Sequence, residues 1–190
     1  VEEKIIIPLK TSNLILRLNN SNDSVIEFDE NDLKVSFGDI EIYSKLIDDT
    51  FPSYENVIPG DNDKILKINK DELSNSLRRA LIFADVITKR VRLEITNKNI
   101  IIKADNPEIG SEGEETIESN FVSNSGDEDF DKTPFVIAFN AGYLLDAVSQ
   151  METDEINISF GSPSKAAITT PSEQKANENF IELIMPVRVG

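Results

Sequence analysis

KILKINKDELSNSLRRALIFADVITKR, residues 64–90, carries the pattern from which the rest of the chain can be read. Lys64–Ile68 is a short apolar strand, and Asn69 is a good N-cap residue placed just before a helical pattern. From 70 to 89 the spacing predicts one amphipathic helix. At about 100° per residue, Leu73, Leu77, Ala80, Leu81, Ala84 and Ile87 share a face, which makes a core stripe. Arg78 and Arg79 lie away from that face, as solvent-facing side chains do. Ile82 and Val86 also lie there, with Phe83 on the flank. Three apolar residues gathered on a polar face imply a second buried surface, against a partner subunit or neighbouring domain, or else cover from a loop.

The same pattern occurs three times. Short apolar strands open at Lys4–Pro8 (KIIIP), Lys64–Ile68 (KILKI) and Phe135–Phe139 (FVIAF), near 5, 65 and 135, so the period is 60 and then 70 residues. Each runs into a helix, and Asn140 is again a suitable N-cap. Runs of period two follow, as half-buried strands require. They are Ile26/Phe28, Leu33/Val35/Phe37 and Ile40/Ile42 in the first unit, then Val91/Leu93/Ile95 and Ile100–Ala104 around a turn at Asn97–Asn99. The third unit offers Ile156/Ile158/Phe160, Ala166–Thr169 and Phe180–Val187. A strand, a helix and three strands, repeated, predict an α+β fold with antiparallel sheets. Units this small cannot cover both faces of their helix, so they should pack in pairs. Three is odd: the first unit stands alone, or its partner lies upstream of Val1. Pro59–Asp63 (PGDND) is turn-rich and suits a linker between the first two units. The start, VEEK, has neither an initiator Met nor a signal-peptide pattern, so the chain reads as processed or as part of something longer.

Composition excludes much chemistry. Among 190 residues there is no His, Cys or Trp. Disulfides, thiolate catalysis and zinc-thiolate sites are therefore out, as are the usual general base and the commonest metal ligand. No apolar run approaches the roughly 20 residues that span a bilayer, and a cytoplasmic protein is expected. The charge is −16, from 19 Lys+Arg against 35 Asp+Glu, but it is uneven. Residues 105–131 hold ten acids (Asp105, Glu108, Glu112, Glu114, Glu115, Glu118, Asp127, Glu128, Asp129, Asp131) and no Lys or Arg, which reads as an acidic outer loop. Residues 70–90 hold Lys70, Arg78, Arg79, Lys89 and Arg90 against Asp71, Glu72 and Asp85, a net +2. Asp127, Asp129 and Asp131 have the alternate spacing of a calcium loop, but Lys132 stands where Gly is needed and Ala138 where a bidentate Glu belongs. The eight glycines form no phosphate loop, and no carboxylate pair stands out. No metal and no cofactor is expected. Two apolar segments with proline remain, LIDDTFPSYENVIP (Leu46–Pro59) and LIMPVRVG (Leu183–Gly190). They read either as a pliable wall for docking peptides or simply as a linker and a last strand.

At these segments the chain resembles a known family. Leu46–Pro59, RVRLEI (Arg90–Ile95), ADNPE (Ala104–Glu108), FNAGYLLDAV (Phe139–Val148) and LIMPVRV (Leu183–Val189) are similar, in order and spacing, to the bacterial DNA sliding clamp, the beta subunit of DNA polymerase III. The resemblance covers essentially the whole chain. It implies that residues 1–61 are the second half of the middle clamp domain plus linker and 62–190 the C-terminal clamp domain. It implies a clamp fold with sheets outside and helices lining the inner face. The function implied is non-enzymatic: a head-to-tail homodimer ring encircles duplex DNA without reading its sequence. That ring tethers the catalytic polypeptide of DNA polymerase III, the clamp loader and other proteins bearing a clamp-binding motif. On the C-terminal-domain side, the resemblance implies a peptide pocket of Pro52, Val57, Asn140, Tyr143, Ser164, Ala166, Leu183, Ile184, Met185, Pro186, Val187 and Arg188. Ser164 and Ala166 stand where the family often has Val and Ser, and Asn56 where it often has a basic residue. The implied subunit interface uses Ile82 and Phe83 with Glu112, Glu114 and Glu115, and the implied DNA-facing residues are Arg78, Arg79, Lys89 and Arg90. Contacts from the latter should be to phosphate. The alternatives are a carboxylate-dependent hydrolase on a clamp-like fold and a repeat scaffold unrelated to replication. A peptide of the QLxLF type discriminates, because only the clamp binds it.

Overall fold

In a computed structural model, residues 4–19, 23–126 and 129–189 are described. Asp127 and Glu128 of the acidic stretch, and with Asp127 the start of the calcium-like spacing, lie outside them. The chain divides into two compact units, residues 1–54 and 55–190.

Among its described residues the first unit has one α-helix, α1 (Leu9–Leu18), and an antiparallel sheet of β1 (Val25–Phe28), β2 (Asp32–Phe37) and β3 (Ile40–Lys45), in that spatial order. Period two holds on the central strand but not on β1, where Val25, Ile26, Glu27 and Phe28 are all exposed, and Ile40 of β3 is exposed too. Leu33, Val35 and Phe37 of the central strand are buried with Ile42, and Ile5, Ile7, Leu14, Ile15, Leu18 and Leu46 pack on them. The β2–β3 turn needs a left-handed residue, and Gly38 supplies it at φ 57°. Lys4–Pro8 departs from expectation. No strand is assigned there; the Ile6 carbonyl accepts one bond, from the Ile47 amide at 3.0 Å.

The second unit contains the paired repeats. In chain order it runs β4 (Lys64–Asn69), α2 (Lys70–Phe83), β5 (Arg90–Ile95), β6 (Asn99–Asn106), β7 (Ser111–Glu118), β8 (Asn120–Ser123), β9 (Phe135–Asn140), α3 (Ala141–Ser149), β10 (Glu155–Phe160), β11 (Ala167–Pro171) and β12 (Glu182–Ile184). Two antiparallel sheets result, ordered β12-β11-β10-β4-β8 and β7-β6-β5-β9. The opening strands are exchanged. β4 of one repeat pairs with β10 of the other, Leu66 opposite Ile158, while β9 pairs with β5, Ile137 opposite Leu93. Neither repeat completes its sheet alone, so a single core forms between them. Leu73 and Leu77 of α2, Leu144 and Val148 of α3, and Leu93, Ile95 and Ile102 are all buried in it. Phe121, Phe130, Phe135, Phe139 and Phe160 stack at one end, with ring centroids 4.5–6.5 Å apart.

Three expectations need correction. The helix stops at Phe83, not 89. Ala84 turns extended (ψ 152°), and Asp85 then caps a turn by accepting from the Thr88 amide and hydroxyl, both at 2.8 Å. Helical phase is lost, so Ile87 leaves the core stripe and is 86% exposed. Residues 105–131 are not one acidic loop, since β7 and β8 lie within them. The last strand is Glu182–Ile184 rather than Phe180–Val187, followed by an isolated bridge between Val187 and Ala138.

Candidate functional site

The apolar residues around the chain's last strand are held by backbone pairing. Ile184 lies opposite Ala167 and Leu183 opposite Ile168. Ile184 is 5% exposed, so the alternation of a strand turns the next side chain, Met185, out to 61% exposure. Two residues on, the Val187 amide donates to the Ala138 carbonyl at 2.8 Å. The segment from 183 to 187 is thus tied at both ends, beside Ala166–Ala167 on one side and β9 on the other. Pro186 and Leu183 are half-buried, Ala166 is buried, and Ser164, Val187 and Arg188 are exposed. β9 leads into Asn140, whose side chain is fully committed to structure. Its Oδ1 accepts from the amides of Gly142 (2.9 Å) and Tyr143 (3.3 Å), capping α3, and its Nδ2 donates to the Thr88 carbonyl at 2.9 Å. Tyr143, on the first turn so capped, is 69% exposed. Val57 ends a 3₁₀ turn, Tyr54–Val57, and is exposed. Pro52 belongs to the first unit, where its carbonyl accepts from the Tyr54 amide at 2.9 Å and Phe51 and Tyr54 meet edge to face.

A second constellation lies where α2 crosses β7, the terminal strand of its sheet. Ile82 is 74% exposed and Val86, Ile87 and Ile109 are also exposed, so no described loop covers them. Phe83 is partly exposed, and its ring lies over Gly113 of β7. The Ser111 hydroxyl donates to the Phe83 carbonyl at 3.2 Å. The three expected interface acids divide by strand alternation. Glu112 and Glu114 face away from the core, where Glu114 pairs with Lys103 at 3.4 Å, whereas Glu115 is half-buried on the α2 side. There it receives a fork from Arg79, Nε to Oε1 at 2.5 Å and Nη2 to Oε2 at 2.6 Å. That guanidinium, helped by the Ser76 hydroxyl, holds the Glu115 carboxyl below its ordinary value against a smaller opposing effect of burial.

The expected basic lining divides as well. Arg78 is exposed on α2 and donates to Asn75 Oδ1 at 3.1 Å. Lys89 is exposed at a left-handed φ of 49°. Arg79 is spent on Glu115. Arg90 alternates with buried Val91, so it shares the outer face of the sheet with Arg92 and Glu94 and pairs with Asp105 at 3.4 Å. A helix-lined basic surface therefore does not include Arg90. Among the described residues no cluster of three or more acidic side chains could hold a metal ion, and Asp129 is paired with Lys132 at 2.7 Å. Among the described residues no helix is long and apolar enough to cross a membrane.

Residues 55–188 match the family described as DNA polymerase III beta subunit, C-terminal domain. The chain belongs to the DNA polymerase III beta-subunit family. The beta sliding clamp of Vibrio cholerae is 26% identical over 190 residues, 99% of this chain and 48% of that protein. That of Caulobacter vibrioides is 29% identical over 187 residues, covering 97% and 47%. A crystal structure of the DNA polymerase sliding clamp from Pseudomonas aeruginosa superimposes with a TM-score of 0.86 at 26% identity, over 98% of this chain and 48% of that one. The chain thus spans about half the length of the clamps it matches.

The beta-subunit motifs seen in the sequence fall on definite elements: RVRLEI is β5, ADNPE ends β6, FNAGYLLDAV spans β9 and α3, and LIMPVRV follows from β12. Sequence reasoning missed Gly113, Ser111 and the Arg79–Glu115 fork. A signal was present: in SEGEETIE (Ser111–Glu118) every second residue, Ser111, Gly113, Glu115 and Ile117, turns inward. Because three of those four are small or polar, the alternation does not register as hydrophobic periodicity.

Proposed function

We propose that this chain is the C-terminal portion of a DNA sliding clamp, a non-enzymatic processivity factor acting in the bacterial cytoplasm. Residues 1–61 form the second half of its middle domain plus linker, and 62–190 its C-terminal domain. In the full-length protein two subunits join head to tail around duplex DNA. The ring slides, and it tethers the polymerase and other partners through short peptides. The observation that carries this reading is the match of residues 55–188 to the C-terminal domain of the polymerase III beta family, in a unit built from two strand-exchanged repeats.

Three surfaces support it. Exposed Tyr143, Met185, Val187 and Val57 offer apolar area for a peptide, with Asn140 positioning Tyr143 rather than binding. In this reading Ser164, Ala166, Leu183, Ile184, Pro186 and Arg188 complete that wall. Exposed Ile82 and Phe83, flanked by Glu112 and Glu114 on an edge strand, suit a second subunit. Arg78 and Lys89 supply charge for phosphate contacts, few enough for sliding.

The test is retention of the full-length protein on circular duplex DNA, with release upon linearisation, together with titration by a QLxLF peptide. A clamp is retained on circles only and binds the peptide; a protein that shows neither, while folded, is not one.

A further inference from the structure

Helix α2 runs along edge strand β7 in matched steps. Arg79 and Phe83 are one helical repeat of four apart, a rise of about 6 Å, and the inward residues of β7 recur every two, about 6.6 Å. The steps coincide: Arg79 forks onto Glu115, the Phe83 ring covers Gly113, and the Phe83 carbonyl accepts from Ser111. Ser76, one turn before, is buried, and its hydroxyl accepts from Arg79 Nη2 at 3.1 Å. Among the described residues β7 has a strand neighbour on one side only, β6. β6 pairs with it along its whole length, from Asn106 opposite Ser111 to Asn99 opposite Glu118, and the ladder to α2 is what sets that outer strand against the helix.

We propose that Arg79 is a positioning residue for the subunit interface and not a phosphate contact. By forking onto Glu115 it holds the free edge of β7 in register with the exposed Ile82–Phe83 end of α2, so that both meet the second subunit as one surface. The inference rests on the sliding-clamp reading. Its chemistry is that of the bidentate pair: both guanidinium donors that form the fork's geometry are taken by one carboxylate, and the net charge there is zero. Such a site adds little to the attraction of a phosphate. Removing either partner loosens the seating of β7 on α2, though β6 still pairs with it, and leaves the other charge beside it.

The experiment uses a full-length protein carrying this chain and compares Arg79→Gln, Glu115→Gln and the exchanged pair Arg79→Glu/Glu115→Arg. Self-association is read by sedimentation, and DNA affinity by titration across a salt series. Both single substitutions should weaken self-association about three- to tenfold and leave the slope of log affinity against log salt unchanged. The exchanged pair should recover association to within about twofold. Glu115→Gln is the sharper of the single changes: it is nearly isosteric, and it liberates Arg79. If Arg79 were a phosphate contact, this change would strengthen DNA binding and spare association. That result overturns the proposal. So does a salt slope made shallower by about one for Arg79→Gln with association intact, or failure of the exchanged pair to recover. Wild-type protein that neither self-associates nor holds circular DNA would overturn the sliding-clamp reading itself, and the inference with it.

Discussion

The ring of Phe83 lies across Gly113 so closely that a Cβ added there would stand 2.5 Å from one ring carbon and 2.8 Å from Cγ. Cγ sits at the base of the side chain, so the ring cannot simply swing its far end aside. Gly113→Ala should therefore push α2 from β7 and destabilise the protein by about 1–3 kcal/mol, the usual cost of overpacking. Adding Phe83→Leu should restore part of the loss, because the smaller side chain vacates the contact. Urea unfolding of the two single variants and the double measures this; strict additivity of the three values would remove the contact as the cause.

Asn140 joins two elements through one amide. Replacing it by Asp keeps an acceptor for the Gly142 and Tyr143 amides but abolishes the donor to Thr88. Replacing it by Ala loses both. Loss of the cap costs about 0.5–2 kcal/mol and loss of a hydrogen bond about 0.5–1.5 kcal/mol, so Asn140→Ala should be the more damaging. Hydrogen exchange should separate them further: both variants loosen the Thr88–Lys89 turn, and only Asn140→Ala loosens the first turn of α3. Equal loosening of α3 by both variants would show that its start does not depend on this cap.

Much of the fold was legible in the sequence because its repeats are punctuated in the same chemical way. Asn69 and Asn140 each precede a helix that they cap, and the alternations at 91–95 and 156–160 mark strands buried on one face. What escaped reading has physical causes. β7 packs against a helix through Gly, Ser and Glu, so it carries a polar inner face where a hydrophobic one signals a strand. Ile87 falls in phase with the α2 core stripe, yet Asp85 finds a better partner in Thr88 than in a continuing helix, and the phase is broken before Ile87 is reached. Lys4–Pro8 has strand composition, but a strand needs a neighbour, and among the described residues only the Ile6 carbonyl meets one, at Ile47. The motifs put Arg79 and Glu115 on different surfaces, whereas in the fold they bind each other.

Tyr143 and Met185 differ from Ile184 in what their loss should do. The first two are exposed and Ile184 is buried against Ala167. Tyr143→Ala and Met185→Ala should change stability by no more than about 0.5 kcal/mol while lowering affinity for a QLxLF peptide about tenfold or more. Ile184→Ala should cost about 2–5 kcal/mol of stability. Calorimetric titration beside thermal melts decides; peptide affinity indifferent to both exposed side chains would move the docking surface elsewhere.

Acid should act through Glu115 in a defined direction. Its carboxyl is held below the ordinary value of 4.5, first by the Arg79 guanidinium, and burial opposes this less strongly. A group whose folded value is depressed contributes stability above its unfolded value and loses it as pH falls through the folded one. Arg79 is shifted the other way, upward, and stays charged throughout. The pair therefore weakens below about pH 4.5 from the carboxylate side alone. Wild type should exceed Glu115→Gln in stability at pH 7, and the gap should close as pH drops from about 4.5 toward 3. With no His or Cys in the chain, both proteins should be nearly flat between about pH 6 and 8. Urea midpoints taken across this range test the point. A gap that stays constant to pH 3 would mean that Glu115 contributes through shape and hydrogen bonding alone, with no share from its charge.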